Sequence, residues 1–261
     1  MTNKIQTYLL ILVFSIFSLI SSANADVKVV TSIKPIHSLV SYIMDGVGKP
    51  DVIVDGYNSP HGFSLKPSHA KMLENAELVI WVGEDLEAFL EKPLNTIAKK
   101  AKNIEIMDLK GIKKLKFRKK NIFERHDGHK EHDDHKEHDD HKEHDGHKEH
   151  DDHGHGEHDP HVWLDPMNAK VMIKEITKQL IKLDSKNSSV YKSNSKKALA
   201  DLDKLIKNIK KDLNKDLRFV VFHDAYQYFE NRFGIQVLGA LTVNTDVMPG
   251  AEQLSKIREV I

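Results

Sequence analysis

Apolar runs alternate with amphipathic segments along the chain from Val27 to Leu109. Runs of β-branched and other apolar residues predict buried strands, and apolar residues recurring every three or four positions predict helices. Strands are expected at residues 27–33, 51–55, 78–83 and 104–109. Helices are expected from Pro35 onward, from Ser68 as N-cap to Ala76, and from Asp85 to Lys100. This alternation predicts an α/β fold with a mainly parallel sheet, whose ligands bind beyond the carboxyl ends of the strands.

A long charged run interrupts the alternation. Residues 124–161 contain no aliphatic or sulfur-bearing side chain and no Phe, Tyr or Trp, and residues 129–152 are four copies of one unit: HKEHDD, HKEHDD, HKEHDG and HKEHDD. Such a segment has nothing apolar to offset the entropy cost of ordering it, so a disordered, acidic, histidine-rich loop is predicted at 124–158. Twelve of the 17 histidines lie there. We expect them to bind additional zinc, copper or nickel ions weakly.

A second series of elements follows the charged run. Asp165 is expected to cap a helix, and residues 186–211 contain no Gly or Pro, which predicts one helix about 40 Å long. Beyond it, strands are expected at 219–223 and 235–241 and helices at 224–233 and 250–261. Because two strands cannot form a self-sufficient lobe, the second lobe is expected to be incomplete. The predicted organisation is an N-terminal α/β lobe (26–185), a linking helix (186–213) and a C-terminal α/β lobe (214–261).

The N-terminus predicts export. Lys4 precedes an apolar stretch from Tyr8 to Ile20, and the small residues that follow end at Ala25. This pattern is typical of a secretory signal peptide (1–25) cleaved before Asp26, and the apolar stretch is too short for a spanning helix. Lys plus Arg and Asp plus Glu both number 39, so no basic excess indicates nucleic-acid binding. Cysteine is absent, which leaves imidazole and carboxylate as the strong metal ligands.

Three histidines fall at predicted strand ends or in adjacent loops: His61, His161 and His223. Three neutral imidazoles that converge on one ion would form a tetrahedral zinc site with one position open. No two of these histidines have a local metal-binding spacing, so composition alone favours three unrelated loop or core histidines, and the histidine-rich run shifts the balance towards a metal site. Asp224 is interpreted as a helix N-cap, or as a carboxylate that orients an imidazole. Three aromatic residues are expected in the cores: Trp81, Trp163 and Phe222.

Three motifs carry a family resemblance: HGFSLKPS at 61–68, DPHVWLDP at 159–166 and FHDAYQYF at 222–229. Together they resemble the periplasmic zinc-binding component of bacterial ABC importers of the ZnuA type. The resemblance implies two (β/α) lobes joined by one long rigid helix, with metal held in the cleft by His61, His161 and His223. Pro60 stands where some relatives have a glutamate, and the family's carboxylate ligand from the second lobe would lie beyond Ile261.

The resemblance implies zinc capture in the periplasm and delivery to a membrane ABC permease by a monomer that binds no nucleic acid. A manganese-binding protein of the same family is the nearest alternative, although three imidazoles favour Zn²⁺ over Mn²⁺. Three histidines and a water also form a hydrolytic zinc site, so a zinc-dependent hydrolase is an alternative of another class. A metal-buffering or adhesion protein that needs no permease is the third.

Overall fold

The computed structural model describes residues 26–118 and 157–242, together with residues 254, 255 and 258. The predicted signal peptide (1–25), most of the predicted histidine-rich loop and most of the predicted C-terminal helix therefore lie outside the described residues. Among the described residues, no helix is both long enough and apolar enough to cross a membrane.

A four-stranded parallel sheet is the centre of the first lobe. Its strands are β1 (Val29–Ile33), β2 (Asp51–Val54), β3 (Leu78–Trp81) and β4 (Lys102–Glu105), in the spatial order β2-β1-β3-β4. Every residue of β1 and β3 is buried, as expected for a parallel sheet covered on both faces. The mainly parallel α/β fold predicted from the sequence is confirmed.

Three helices connect these strands: α1 (Lys34–Met44), α2 (Pro67–Asn75) and α3 (Glu84–Thr96). The apolar face of α1 is buried against the sheet, and proline stands in the first turn of α1 and of α2. Ser68 was predicted to cap α2, which is wrong. The cap is Lys66, whose backbone N–H donates to Nδ1 of His69 at 3.1 Å.

The fourth strand begins two residues earlier and ends four residues earlier than predicted. The sequence favoured residues 104–109, whereas β4 spans Lys102–Glu105. Ile106 and Met107 still donate backbone N–H groups to the carbonyls of Trp81, the last residue of β3, and of Val82, and both are buried. The next two N–H groups bond back to Glu105 and Ile106, so the chain turns instead of continuing the strand. Ile106 and Met107 are buried like strand residues but lie outside β4, which explains why the sequence pattern extended the strand too far.

A short antiparallel stem joins the two ends of the charged run. Lys116 pairs with His158, and the N–H of Asp159 donates to the carbonyl of Leu115 at 2.8 Å. Helix α4 (Pro166–Leu183) follows, and the side chain of Asp165 accepts from the N–H of Met167 as a true N-cap. The predicted cap is confirmed.

The long predicted helix is α5 (Ser188–Asp212), with 25 residues and a length of about 37 Å. Its buried residues, Tyr191, Ser195 and Ala198, all lie in its first half, which packs on α1 and α4. The amide of Asn194 donates to the carbonyls of Ile43 and Asp45 at the end of α1. The first half of α5 thus packs on the first lobe, and its C-terminal end leads towards the second.

The described part of the second lobe consists of β5 (Val220–His223), α6 (Gln227–Phe233) and β6 (Gly239–Thr242), with β5 and β6 parallel. The predicted helix start at Asp224 is wrong, because α6 begins three residues later and Asp224 pairs with an arginine instead of capping it. The predicted strand at 235–241 begins later, at Gly239. Phe222 is 56% exposed, so its assignment to a core is also wrong, whereas Trp81 is buried and Trp163 packs against the first-lobe core.

Candidate metal centre

The three predicted histidines lie together in the cleft between the lobes. The Nε2 atoms of His161 and His223 are 3.2 Å apart, and one nitrogen from each of the three rings lies within 4.8 Å of the others. The ring centroids are separated by 5.0 Å between His161 and His223, 5.4 Å between His61 and His223, and 6.0 Å between His61 and His161. Residues from three distant parts of the sequence therefore meet around one point.

His61 comes from the loop that follows β2. Two glycines in this loop, Gly56 and Gly62, have positive φ angles of 72° and 68°, a conformation that is costly for other residues. Gly62 reverses the chain immediately after the histidine, while the N–H of His61 donates to Oγ of Ser59 at 3.2 Å. The loop thereby returns the His61 ring to the carboxyl edge of the first sheet.

His161 is buried and is oriented by Asp159. One carboxylate oxygen of Asp159 accepts from both Nδ1 and the backbone N–H of His161, at 2.7 and 2.9 Å. Because an ionised carboxylate can only accept, Nδ1 carries the proton and Nε2 presents its lone pair to the cleft. The second oxygen of Asp159 accepts from the amide of Gln227 at 3.1 Å, which ties this pair to α6.

His223 ends β5, where it pairs with Thr242 of β6. The next residue, Asp224, is buried and accepts from the guanidinium of Arg118 at 3.0 Å. Burial raises the pKa of Asp224 to about 6, although the positive charge of Arg118 acts in the opposite direction. The carboxylate that orients the His161 imidazole is Asp159, whereas Asp224 pairs with Arg118.

A cavity of about 290 Å³ opens beside the three rings. Its walls are mainly apolar, with contributions from Ile33, Val54, Pro60, Trp163 and Ala225. The apolar part of this wall offers no ligand that would compete with the imidazole nitrogens for an ion. The His161 ring centroid also lies 5.3 Å from that of Trp163, so we expect the fluorescence of this indole to change when a metal binds at the site.

The donor set is suited to zinc. Nitrogen ligands held 2.0–2.1 Å from a tetrahedral ion are about 3.3 Å apart, close to the 3.2 Å between the Nε2 atoms of His161 and His223. Within residues 26–118 and 157–242, no other group of His, Asp or Glu side chains comes together in this way. Three imidazole nitrogens around a tetrahedral zinc ion would leave one position open.

The three remaining histidines of the described chain do not belong to the cluster. Nε2 of His37 lies 3.1 Å from the carbonyl of Pro50, His69 accepts the N–H of Lys66, and His158 pairs with Lys116 in the stem. The orienting residues around the site were not predicted from the sequence, namely Asp159, Arg118, Gln227 and Tyr228. The one local signal was an Asp two residues before His161 in the second motif.

Comparison with known proteins agrees with this geometry. The profile of the ZnuA family, described as the periplasmic component A of a zinc-uptake complex, matches residues 29–261. The high-affinity zinc uptake system protein ZnuA of Brucella abortus (strain 2308) is 46% identical over 250 residues, covering 92% of this chain and 75% of that protein. The protein of the same name from Yersinia pestis is 38% identical and covers 90% of this chain and 71% of its own length.

Solved structures share the fold. A ZnuA crystal structure has a TM-score of 0.68 at 23% identity and covers 90% of this chain and 77% of its own. The AdcAII protein of Streptococcus pneumoniae has a TM-score of 0.66 at 21% identity, with 91% and 76% covered. At these identities the structures show only that the two-lobed fold is shared. The profile and the sequence relatives extend over almost all of the chain, which therefore belongs to the ZnuA family of periplasmic zinc-uptake components.

Proposed function

We propose that this chain binds Zn²⁺ through His61, His161 and His223 and delivers it to a membrane ABC permease. The observation that carries the proposal is the approach of the three imidazoles, whose nitrogens lie within 4.8 Å of one another in an apolar cleft. The B. abortus relative is named a high-affinity zinc uptake protein, which agrees with this donor set. In the proposed organisation, residues 26–185 and 214–261 form the two lobes, residues 186–213 form the linking helix, and residues 1–25 direct export to the periplasm.

Zinc is favoured over manganese because all three donors are nitrogen. Imidazole suits Zn²⁺, whereas Mn²⁺ prefers carboxylate, carbonyl and water oxygens. A structural neighbour at 21% identity and a TM-score of 0.64 is titled a Mn-bound periplasmic metal binding protein from Candidatus Liberibacter asiaticus, so metal choice varies on this fold. The donors at the site, and not the fold, therefore support zinc.

The geometry favours capture and release over catalysis. A hydrolytic zinc site needs a carboxylate or imidazole free to act as general base on the metal-bound water. The two carboxylates that neighbour the ligands in sequence are already engaged, Asp159 by His161 and Gln227, and Asp224 by Arg118. An open fourth position can instead admit a ligand from the permease. We expect no zinc-dependent esterase or protease activity.

The proposal predicts one tight site and a separate set of weak ones. Zinc and manganese are titrated, in competition with a chromophoric chelator, into the chain from Asp26 and into a variant that lacks residues 125–156. The full chain should bind several zinc equivalents, of which the weak ones belong to the histidine-rich run. The deletion variant should keep one tight zinc equivalent and bind manganese far more weakly.

The matched controls are single histidine variants of the deletion chain. H161A should lose the tight zinc equivalent, whereas H37A, which removes a half-buried histidine outside the cleft, should keep it. If the deletion alone removes tight binding, or if H161A retains it, the proposed site is wrong. Zinc uptake by cells that carry the permease and the H161A chain tests delivery, and gel filtration tests the expected monomer.

A further inference from the structure

An arginine from each lobe binds acidic side chains of the other lobe. Arg118, in the stem of the first lobe, contacts α6 and the segment that precedes it. Its Nη1 lies 3.0 Å from Oδ1 of Asp224, and its Nη2 lies 3.0 Å from Oε2 of Glu230. In the opposite direction, Arg232 of α6 binds Asp165, the N-cap of α4, through two hydrogen bonds of 2.6 Å. Each lobe thus places a guanidinium on carboxylates that belong to the other.

The carboxylates that Arg118 contacts are buried. The side chains of Asp224 and Glu230 are 6% and 5% exposed, and that of Arg118 is 21% exposed. An unpaired carboxylate at such a position is costly. A planar guanidinium can bind two carboxylates through separate nitrogens in a fixed geometry, which a compact ammonium does not reproduce. Glu230 is fixed from its own lobe as well, because its Oε2 accepts the N–H of Val237 at 2.9 Å. The position of Arg118 relative to the second lobe is therefore closely defined.

Arg118 also lies on a short path between two of the histidines. Its stem strand pairs with the returning chain, where the N–H of Asp159 donates to the carbonyl of Leu115, and Asp159 holds the imidazole of His161. On the other side, Asp224 directly follows His223. Covalent and polar links thus connect His161 to His223 through the stem, Arg118 and Asp224. The two histidines also approach each other directly, with their Nε2 atoms 3.2 Å apart.

We propose that Arg118 is a positioning residue for the metal site, which holds His223 at ligand distance from His161 by joining Asp224 and Glu230 to the stem. This inference rests on the proposed zinc function. Arg118 does not bind the ion itself. Its loss lets the two lobes separate or rotate at the cleft, so that the three imidazoles meet around one point less often.

Two substitutions test the role of Arg118 in the variant that lacks residues 125–156. R118Q removes the charge, and R118K keeps the charge but loses the fork that spans two carboxylates. The matched control is K116Q. Lys116 lies two residues before Arg118 in the stem, and its substitution removes an exposed ion pair with Glu157. Zinc affinity is measured by chelator competition, and the d–d absorption of bound Co²⁺ reports whether the coordination is tetrahedral.

R118Q should weaken zinc binding about 10- to 100-fold, the range typical of residues that orient metal ligands. It should also lower the intensity of the tetrahedral Co²⁺ bands. The zinc affinity and Co²⁺ band intensity of R118K should lie between those of R118Q and the parent. K116Q should leave both quantities unchanged. A residue that only stabilised the fold would lower the melting temperature of the metal-free chain without changing affinity or the Co²⁺ spectrum at a temperature where the variant is folded.

A folded R118Q variant with parent-like zinc affinity and Co²⁺ bands overturns the inference. If circular dichroism shows that R118Q does not fold, R118K decides, and parent-like affinity in R118K has the same consequence. Failure of the parent deletion chain to bind zinc tightly would instead contradict the proposed function. The two failures are therefore distinguishable in one set of titrations.

Discussion

The two lobes are organised by different interactions. In the first lobe, strands β1 and β3 are buried along their whole length, and the helices around them cover an almost entirely apolar core. In the described part of the second lobe, no residue of β5 is fully buried, and α6 buries Glu230 beside Tyr228 and Phe233. The first lobe has its own apolar core, whereas the described part of the second lobe contacts the first through the ring of Tyr228 and through several charged and polar side chains.

This difference has a consequence for the site. His61 and His161 stand on loops fixed by the first lobe, whereas the position of His223 depends on contacts across the cleft. Tyr228 shows how these contacts work, because its hydroxyl donates to the carbonyl of Asp159 at 2.7 Å and accepts the N–H of Leu115 at 2.9 Å. Metal affinity should therefore respond to changes at the cleft more than to changes of equal size in the first-lobe core.

The buried carboxyl groups of the two lobes extend the comparison. In the first lobe, Oε2 of Glu87 accepts the backbone N–H groups of Val82 and Gly83, at 2.8 and 3.1 Å. Burial raises the pKa of Glu87 from 4.5 to about 7, although these hydrogen bonds act in the opposite direction. In the second lobe, Asp224 and Glu230 face a guanidinium. Burial thus raises the pKa of a carboxyl group in each lobe, but only the carboxyl groups of the second lobe face a cation.

The largest expected effect is on the pH dependence of stability. Because the folded pKa of Glu87 lies above 4.5, its favourable contribution is complete below pH 4.5 and is lost as pH rises past about 7. The loss amounts to about 3 kcal/mol between pH 4 and 8. In E87Q the amide oxygen can still accept both N–H groups, so urea unfolding across this range should show a flatter profile by that amount. E91Q, exposed on the same helix, is the control and should keep the slope of the parent.

The next effect is on zinc affinity. D159N leaves an oxygen for Nδ1 of His161 but places an NH₂ group opposite the amide of Gln227, so the link to α6 is lost. Zinc binding measured by chelator competition should weaken about 10- to 100-fold. E157Q removes an exposed carboxylate of the same stem and should change affinity little. Equal affinities for D159N and E157Q would mean that α6 does not help to orient His161.

The smallest expected effect is on the free energy of unfolding when the same substitution, Val to Ala, is made in each of the two sheets. Val79 is fully buried in β3, and Val221 is partly exposed in β5. V79A should lower the free energy of unfolding by about 2 kcal/mol, since two buried carbon groups are lost and a cavity remains. V221A should cost less than half as much. Urea unfolding measures both, and equal losses would show that the second sheet is as tightly packed as the first.

The sequence predicted the first lobe better than the second for a physical reason. Buried parallel strands leave long apolar runs, so β1, β2 and β3 were recognised to within a few residues. The start of α6 was misplaced because Asp224 resembles an N-cap locally but pairs with Arg118, 106 positions away. Phe222 was assigned to a core by its residue type, yet its side chain is exposed and the rest of its strand is only partly buried.

The three histidines were predicted from their motifs and from their positions near strand ends. Their orienting partners could not be, because a side-chain pair such as Asp159 and Gln227 joins positions 68 apart and leaves no periodic pattern. Only the folded chain brings Arg118 to Asp224 or Arg232 to Asp165. Local patterns thus indicate which residues could bind metal, and the packing of the lobes decides how they are held.

The most direct test of the central claim is the zinc K-edge absorption spectrum of the variant that lacks residues 125–156, loaded with one equivalent of zinc. We predict about three imidazole nitrogens 2.0–2.1 Å from the ion, with one further light ligand, and the loss of one imidazole in each of H61A, H161A and H223A. A first shell made mainly of non-imidazole oxygens, or a spectrum that is unchanged in H161A, would contradict the claim that these three histidines share one zinc ion.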